Sequence, residues 1–483
     1  MDAGPSSGAN PDDTSAVRTL THRETMIVVL GVLLPVFMGS LDNTILASAL
    51  PTIGRELGDV YNLPWLITAY LIANTAITAL YGKISDIHGR RTTILIALSL
   101  YMAGSLVCAL APNIYVLIAG RVLHGLGGGG LTSTGMVILG DIAAPRDRGK
   151  YYGYFSATYT TAGACGPALG GFIAEYLHWS VIFWMNIPMG LLAVFLTLTL
   201  LKALPRHERP HKLDILGAGL IMTASVAFML ALSMGGVRYP WTSPAILSLF
   251  AIAFFVGAGF VWRLLVASEP LIPLAILSNK EARLAILANT FGWGPIVGLH
   301  IFLPMYLQNI AGLPPATAGL SVLLLAVMLN ISAGITGTIL PRRVHYKRIP
   351  MAGLCIAIAA VLTMAWRAGS LSLWEFEALI FLIGCGFGAM PPLASTALQN
   401  SVSIHTFGSA VATMQFSRNL YATMIVAVFG ALVLVGAAGA PAVVSQYSVE
   451  GFTRVFLAAA ASFAVAFTAL ALLEEKPLQS GHA

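Results

Sequence analysis

Charge is what this sequence has least of. Asp, Glu, Lys and Arg together make up 10% of its 483 residues, against roughly 25% in an ordinary soluble domain. That is too little to coat a globule in water, so a soluble enzyme and a disordered chain are both excluded. Cysteine is scarce too: Cys108, Cys165, Cys355 and Cys385 stand far apart, each in an apolar run. No C-x-x-C pair occurs, which argues against a disulfide frame and a zinc site. A phosphate-binding loop is missing as well. The run Gly125 to Gly130 lacks a following Gly-Lys-Ser/Thr and sits inside an apolar stretch. ATP-driven chemistry is therefore not expected, and no cofactor or metal is called for. Residues 1–24 are polar, and the first apolar run is too long for the core of a secretory leader. They read as a disordered cytoplasmic tail.

Apolar residues are abundant. They make up 57% of the chain, about 275 residues, and at about 20 per span this leaves room for roughly 13 or 14 spans. Fourteen apolar segments of helical length are visible, at about 25–50, 62–82, 92–111, 113–140, 150–173, 180–201, 213–235, 243–266, 283–307, 314–340, 349–367, 374–398, 406–437 and 452–473. They show no period-2 alternation, and a barrel strand needs only about 10 residues. Backbone polar groups in lipid must bond within their own segment, so the segments are read as helices.

The net charge of +6, from 26 Lys and Arg against 20 Asp and Glu, would suggest nucleic acid in a soluble protein. Here position matters more than the sum. Twenty of the 26 basic residues fall in the tails and loops on the N-terminal side of the membrane. Arg55, Arg238, Arg367 and Arg454 fall on the other side, and Arg121 and Arg418 lie inside segments. By the positive-inside rule this 20:4 split predicts both termini in the cytoplasm and no nucleic-acid partner.

An internal echo runs through the pattern. Gly125, Gly127 and Gly129 in the fourth segment match Gly384, Gly386 and Gly388 in the twelfth, and the basic loop 83–91 matches 342–348. Both offsets are eight segments. Two six-helix halves with two helices between them produce that offset, a layout suited to a carrier whose halves rock about a central site. The expected organisation is a tail at 1–24, a bundle at 25–201, two additional helices with loops at 202–282, a second bundle at 283–473 and a tail at 474–483.

Four local patterns add chemistry. The loop after segment two reads Gly82-Lys83-Ile84-Ser85-Asp86-Ile87-His88-Gly89-Arg90-Arg91. Its carboxylate among cations suggests an ion-pair latch, with a plain positive-inside loop as the alternative. Segment four carries Arg121-Val122-Leu123-His124-Gly125. Segment five carries Gly163-Ala164-Cys165-Gly166-Pro167-Ala168-Leu169-Gly170-Gly171, and segment one carries Leu41-Asp42-Asn43-Thr44. In this order the set resembles the major facilitator superfamily, and most of all its fourteen-helix drug:proton antiporter branch. Phe183-Trp184-Met185-Asn186-Ile187-Pro188-Met189-Gly190 and Pro304-Met305-Tyr306-Leu307-Gln308 are further matches, and the likeness spans roughly residues 25–470. His124 departs from it, standing where that branch usually has Gln, and Ser180 departs after the Trp. The resemblance implies an all-α membrane protein driven by protons. It also implies a proton-relay role for Arg121 and an association of Gly166 and Pro167 with export.

A charge inside a bilayer costs at least about 2.5–3.5 kcal/mol, so it persists where it is paired or wet. Asp42 and Arg121 fall at similar depth, counted at 1.5 Å per residue, and can pair. A carboxylate whose partner changes between two states changes its proton affinity, so Asp42, Arg121 and the titratable His124 are the proton-coupling candidates. A fixed structural pair is the alternative. Asp86 and Asp141 are expected to hold Arg90 and Arg91 in a cytoplasmic gate, with Gly82 and Gly89 permitting the turn. Gly163, Pro167 and Gly171, spaced i, i+4, i+8, are expected to make a close-packing stripe, and Pro167 to bend its helix. Cavity candidates are Asn43, Tyr70, Asn74, Trp184, Asn186, Trp293, His300, Gln399, Gln415 and Arg418. Trp and Tyr also collect at membrane interfaces, and a lone His or Arg can serve packing or capping.

The expected function is proton-coupled export of lipophilic or amphipathic small molecules by alternating access, from a bacterial inner membrane, with or without a periplasmic adaptor. The alternatives are a dedicated exporter of one metabolite or siderophore, and a non-transporting receptor or scramblase on the same fold.

Overall fold

The computed structural model describes residues 22–58, 62–142, 148–200, 213–236, 238–313, 315–339, 347–403, 406–434 and 448–474. Residues 1–21 and 475–483 of the predicted tails, the basic stretch 202–212 and most of the basic loop 342–348 lie outside these residues, and residues 22–24, expected to be disordered, are the start of the first helix. The described chain is helical: α1 His22–Leu57, α2 Pro64–His88, α3 Arg90–Ala109, α4 Ile114–Ile142, α5 Arg148–Tyr176, α6 Val181–Trp184, α7 Asn186–Leu200, α8 Ile215–Met234, α9 Pro244–Val266, α10 Leu274–Ser278, α11 Lys280–Asn309, α12 Pro315–Ile339, α13 Arg348–Trp366, α14 Leu373–Gly388, α15 Met390–Ser401, α16 Phe407–Leu434 and α17 Val449–Leu472.

Thirteen spans among the described residues are long and apolar enough to cross a membrane. The sequence segments number fourteen, and the difference is α5. It has 29 residues, but Tyr, Thr, Ser and Gly replace aliphatic side chains along much of it. Two sequence segments are each divided into two helices, α6 and α7 meeting at Met185 and α14 and α15 at Ala389. Both breaks keep αR geometry at the joint, so each pair runs on as one span. Within α5 the helix passes through Pro167 without interruption.

Helices α1 to α7 pack among themselves, as do α11 to α17, and the two sets meet through α2 against α16 and α5 against α12. The hairpin of α8 and α9 leans on α2 and α16. Asp214 caps the start of α8 by accepting from the Gly217 amide at 3.0 Å, and Arg263 of α9 donates to the same carboxylate at 3.0 Å.

The two glycine triplets have one physical purpose. A side chain at Gly125 or Gly129 would overlap the α2 backbone at Tyr70 or Asn74, and one at Gly127 would overlap the α3 backbone at Tyr101. In the other half, Gly384 and Gly388 abut the α12 backbone at Leu325 and Leu329, and Gly386 abuts Gly353 of α13. In each half, then, one helix is pressed between two others at backbone contact. Lipid supplies no hydrophobic drive between helices, so close van der Waals packing of small residues must hold them.

This packing predicts opposite signs for one chemical change. Gly127→Ala inserts a methyl into the Tyr101 backbone, and overpacking of this kind costs about 1–3 kcal/mol. Gly219→Ala on α8 meets nothing within 4 Å and gains helix propensity of roughly 1 kcal/mol. Thermal unfolding of the purified protein in detergent should fall for the first and hold or rise for the second.

Candidate functional site

The first set of helices encloses a buried ion pair. Asp42 comes from the middle of α1 and Arg121 from the first half of α4, and each side chain is 1% exposed. One Arg121 Nη1 donates to both Asp42 carboxylate oxygens, at 2.9 and 2.7 Å. The same nitrogen lies 3.0 Å from His124 Nδ1, and Nε donates to the Leu66 carbonyl at 2.8 Å. An arginine nitrogen only donates, so Nδ1 accepts. His124 is therefore the neutral tautomer with its proton on Nε2, a buried atom without a partner. Arg121 also lies over the Tyr70 ring at 4.3 Å, a cation–π contact.

The surroundings fix this geometry. The Tyr101 ring packs at a tilt against the His124 imidazole, 4.0 Å between centroids, and its hydroxyl donates to the Met38 carbonyl at 3.0 Å. The Tyr70 hydroxyl donates to the Gly39 carbonyl at 3.4 Å, and Asn74 Nδ2 donates to that hydroxyl at 3.5 Å. Two tyrosines from α2 and α3 thus hold consecutive carbonyls of α1. Gly104 of α3 leaves no room for a side chain beside the His124 backbone, which is why an imidazole fits here.

A second cluster sits at the basic end. Arg90 donates to Asp86 at 2.7 Å and to Asp141 at 2.6 Å. Asp86 in turn accepts from the backbone amides of Gly408 and Ser409, at 3.0 and 2.8 Å, and from the Ser409 hydroxyl at 2.8 Å. A carboxylate of one helix set therefore caps the N-terminus of α16 in the other. Free amides and the helix dipole both favour an anion there. Gly408 permits the approach, since a side chain would strike Asp86, and Gly82 of α2 likewise abuts Gly408 and Ala412. Gly89 joins α2 to α3 at φ +80°, a conformation glycine adopts without strain. Level with this latch and one turn beyond it, Phe407 and Val411 of α16 are buried with Val29, Val36, Met136, Val137 and Phe155 of α1, α4 and α5.

Other expected positions land differently. Arg91 does not join Asp86 or Asp141; it donates to the Leu198 carbonyl at the end of α7. Neighbouring residues point about 100° apart on a helix, so only one of the two arginines can face Asp141. The i, i+4, i+8 glycines of α5 are not a packing stripe: a methyl at Gly163 or Gly171 would meet nothing within 4 Å. Gly166 makes the contact instead, against Thr44 of α1. Gly170 is buried, and the side chains of Asn43 and Pro167 lie outside the described residues.

Among the cavity candidates, Tyr70 and Asn74 are buried in the ion-pair shell. Asn186 Nδ2 donates to Ser105 Oγ at 3.1 Å, tying α7 to α3, and Trp184 is 42% exposed. His300 Nδ1 lies 2.8 Å from the Ile296 carbonyl one turn back. Gln399, Gln415, Trp293 and Arg418 gather in the second set of helices; Gln399 Oε1, Gln415 Oε1 and Arg418 Nε are buried without partners. Sequence reasoning passed over Tyr101, Gly104 and Asn289. It also missed Ser409, although the polar run 401–406 before α16 is a helix-start signal.

Membrane-length helices in two packed sets, with a sealed ion pair inside one, define a membrane transporter in class. The chain belongs to the Major Facilitator Superfamily, which it matches over residues 32–425. It is thus a multi-pass membrane carrier for small molecules and not an enzyme. It is 30% identical to Multidrug transporter protein MdtP of Bacillus subtilis (strain 168) over 406 residues, 84% of this chain and 75% of that one. It is 33% identical to Efflux pump dotC of Dothistroma septosporum (strain NZE10 / CBS 128990) over 431 residues, 87% of this chain and 73% of that one. Its fold superposes on the human organic anion transporter MFSD10 (TETRAN) with a TM-score of 0.67 at 17% identity, covering 92% and 99% of the two chains.

Removing one partner of a buried pair leaves the other charge bare, at a cost of about 3–5 kcal/mol. Asp42→Asn should therefore lower the unfolding temperature sharply. The double change Asp42→Asn with Arg121→Gln should recover most of the loss, and a cycle of the four proteins measures the coupling.

Proposed function

We propose that the protein exports lipophilic or amphipathic small molecules, drugs among them, in exchange for protons and by alternating access. The observation that carries this reading is the ion pair itself. Asp42 is the membrane-embedded carboxylate of the first helix set, and its partner Arg121 has two neutral acceptors besides it, the Leu66 carbonyl and His124 Nδ1. A proton on Asp42 removes the charge that holds α1 to α4. Arg121 keeps its place on α2 and on its own helix through the other two. Protonation then weakens the α1–α4 contact and leaves the buried guanidinium with two neutral acceptors alone, a costly arrangement that favours a change of state, which is what coupling requires. The drive is worth about 2.3 kcal/mol per charge per 100 mV.

In this scheme the structure is the state closed at the basic end. Asp86 on the α16 N-terminus and the Phe407–Val411 plug form the inner gate, and α2, α16, α5 and α12 carry the rocking contact. Gly166 against Thr44 keeps α5 close to α1 during that motion. The fourteenth span is α5, which packs along α1 and α12. The basic end faces the cytoplasm of a bacterial cell, and both termini lie there. Two relatives at 30% identity that are named for multidrug transport or resistance support a broad substrate range.

The test is transport in proteoliposomes with an imposed pH gradient. Wild type should move a lipophilic dye against its gradient and collapse when the pH gradient is dissipated. Asp42→Asn should lose gradient-driven transport, by ten-fold or more in initial rate, while keeping dye exchange at equal pH. Transport indifferent to the gradient and unchanged in Asp42→Asn overturns the antiport reading. A dedicated metabolite exporter would accept one substrate class and refuse unrelated dyes in the same assay.

A further inference from the structure

Arg418 is the charged side chain that neither topology nor pairing explains. It sits on α16, eleven residues in from Phe407, or roughly 16 Å along the axis. Among the described residues no carboxylate pairs with it. Its guanidinium lies over the Trp293 ring of α11 at 4.8 Å, and its Nε is buried without a partner. Gln415, three residues earlier, is 2% exposed with Oε1 unpartnered, and Asn289, one turn before Trp293 on α11, is 1% exposed with both amide atoms unpartnered. α11 packs directly on α16.

The stripe these residues share shows where they face. Val411, Gln415 and Arg418 lie at i, i+4, i+7, one side of α16. Val411 is buried against residues of α1, α4 and α5, while Ile425 and Phe429, further along the same side, meet Gly294 and Gly298 of α11. Gln415 and Arg418 lie between these two contacts, with Arg418 over Trp293 of α11. A buried amide without a partner is destabilising, as is an arginine at membrane depth without a counter-charge. A guanidinium and amides left open together suit a carboxylate or sulfonate. The Arg fork binds such a group through charge-assisted hydrogen bonds, and an amide rotated about its last bond donates as readily as it accepts. Asp42, a buried acid of the first set, is already neutralised by Arg121. The Trp293 ring, one face of which lies under the Arg418 guanidinium, supplies apolar aromatic surface beside the charge.

We infer that this site takes organic anions, with the acidic group on Arg418, Gln415 and Asn289 and an aromatic body against Trp293. The inference rests on the exporter reading for its place in a transport cycle but concerns binding alone, so the two fail separately. The probes are three naphthalene derivatives with the same ring system: 2-naphthoate, the neutral 2-naphthamide and the cationic 2-naphthylmethylammonium. Binding to the purified full-length protein is measured by calorimetry in a non-ionic detergent. The naphthoate should bind at least ten-fold more tightly than the ammonium compound. Arg418→Gln should lower naphthoate affinity ten-fold or more and leave the amide unchanged, while Arg418→Lys should keep part of the preference. Unaltered amide binding reports that Arg418→Gln remains folded. Equal or tighter binding of the cation, naphthoate affinity unmoved by Arg418→Gln, a parallel loss of amide and naphthoate binding, or no saturable binding of any probe each overturns the inference. A protein that binds naphthoate this way yet ignores a pH gradient would defeat the antiport reading and leave this one standing.

Discussion

A guanidinium that is 1% exposed inside a bundle of apolar helices has to be neutralised, and Asp42 does this for Arg121. The surrounding packing of the first helix set is arranged about that requirement. Tyr70 covers one face of the guanidinium, and Tyr101 covers the imidazole beside it. Both tyrosines hold α1 by its carbonyls, and the glycines of α4 and α3 let the helices approach closely enough for these contacts to form. Low local dielectric strengthens such a network when it is complete and makes any gap in it expensive. One such gap, at His124 Nε2, lies next to the pair whose charge state is proposed to change.

The two helix sets are joined by a different kind of interaction. Asp86 spends its charge on free amides at the start of α16 rather than on another side chain. Arg90 then bridges Asp86 to Asp141, so the latch holds three helices together. A latch of a few hydrogen bonds at one end, with an apolar plug beside it, can open without dismantling either set. The buried ion pair cannot be parted as cheaply. The two elements thus differ in kind: one joins the helix sets through a few hydrogen bonds at one end, and the other is buried within a single set.

Much of this was legible in residue order. The sidedness of Lys and Arg, the helical segments and the motif register all follow from the penalty lipid places on charge and on free backbone groups. Asp42 and Arg121 were legible as a pair because both are costly at the same depth. The glycine triplets were legible as packing, and their recurrence located equivalent helices in the two sets. Orientation was not legible. Tyr70 and Asn74 read as cavity residues but are held in the ion-pair shell, and Asn186 is spent on Ser105. The α5 glycines show the same limit: spacing put Gly163, Pro167 and Gly171 on one stripe, while the contact with α1 falls to Gly166. These helices are apolar all round, so no amphipathic face in the sequence says which side meets protein.

What the sequence by itself determined is which residues could not be left to lipid: two embedded arginines, one embedded aspartate, a charged loop and a set of glycines. What only the tertiary structure decided is how each was provided for. Arg121 received a carboxylate, Arg90 received two, Arg91 a carbonyl, and Arg418 an aromatic face with no acid. The reason is physical. The cost of burying a charge depends on the residue and its depth, both written in the chain, whereas its compensation depends on which helix faces lie opposite.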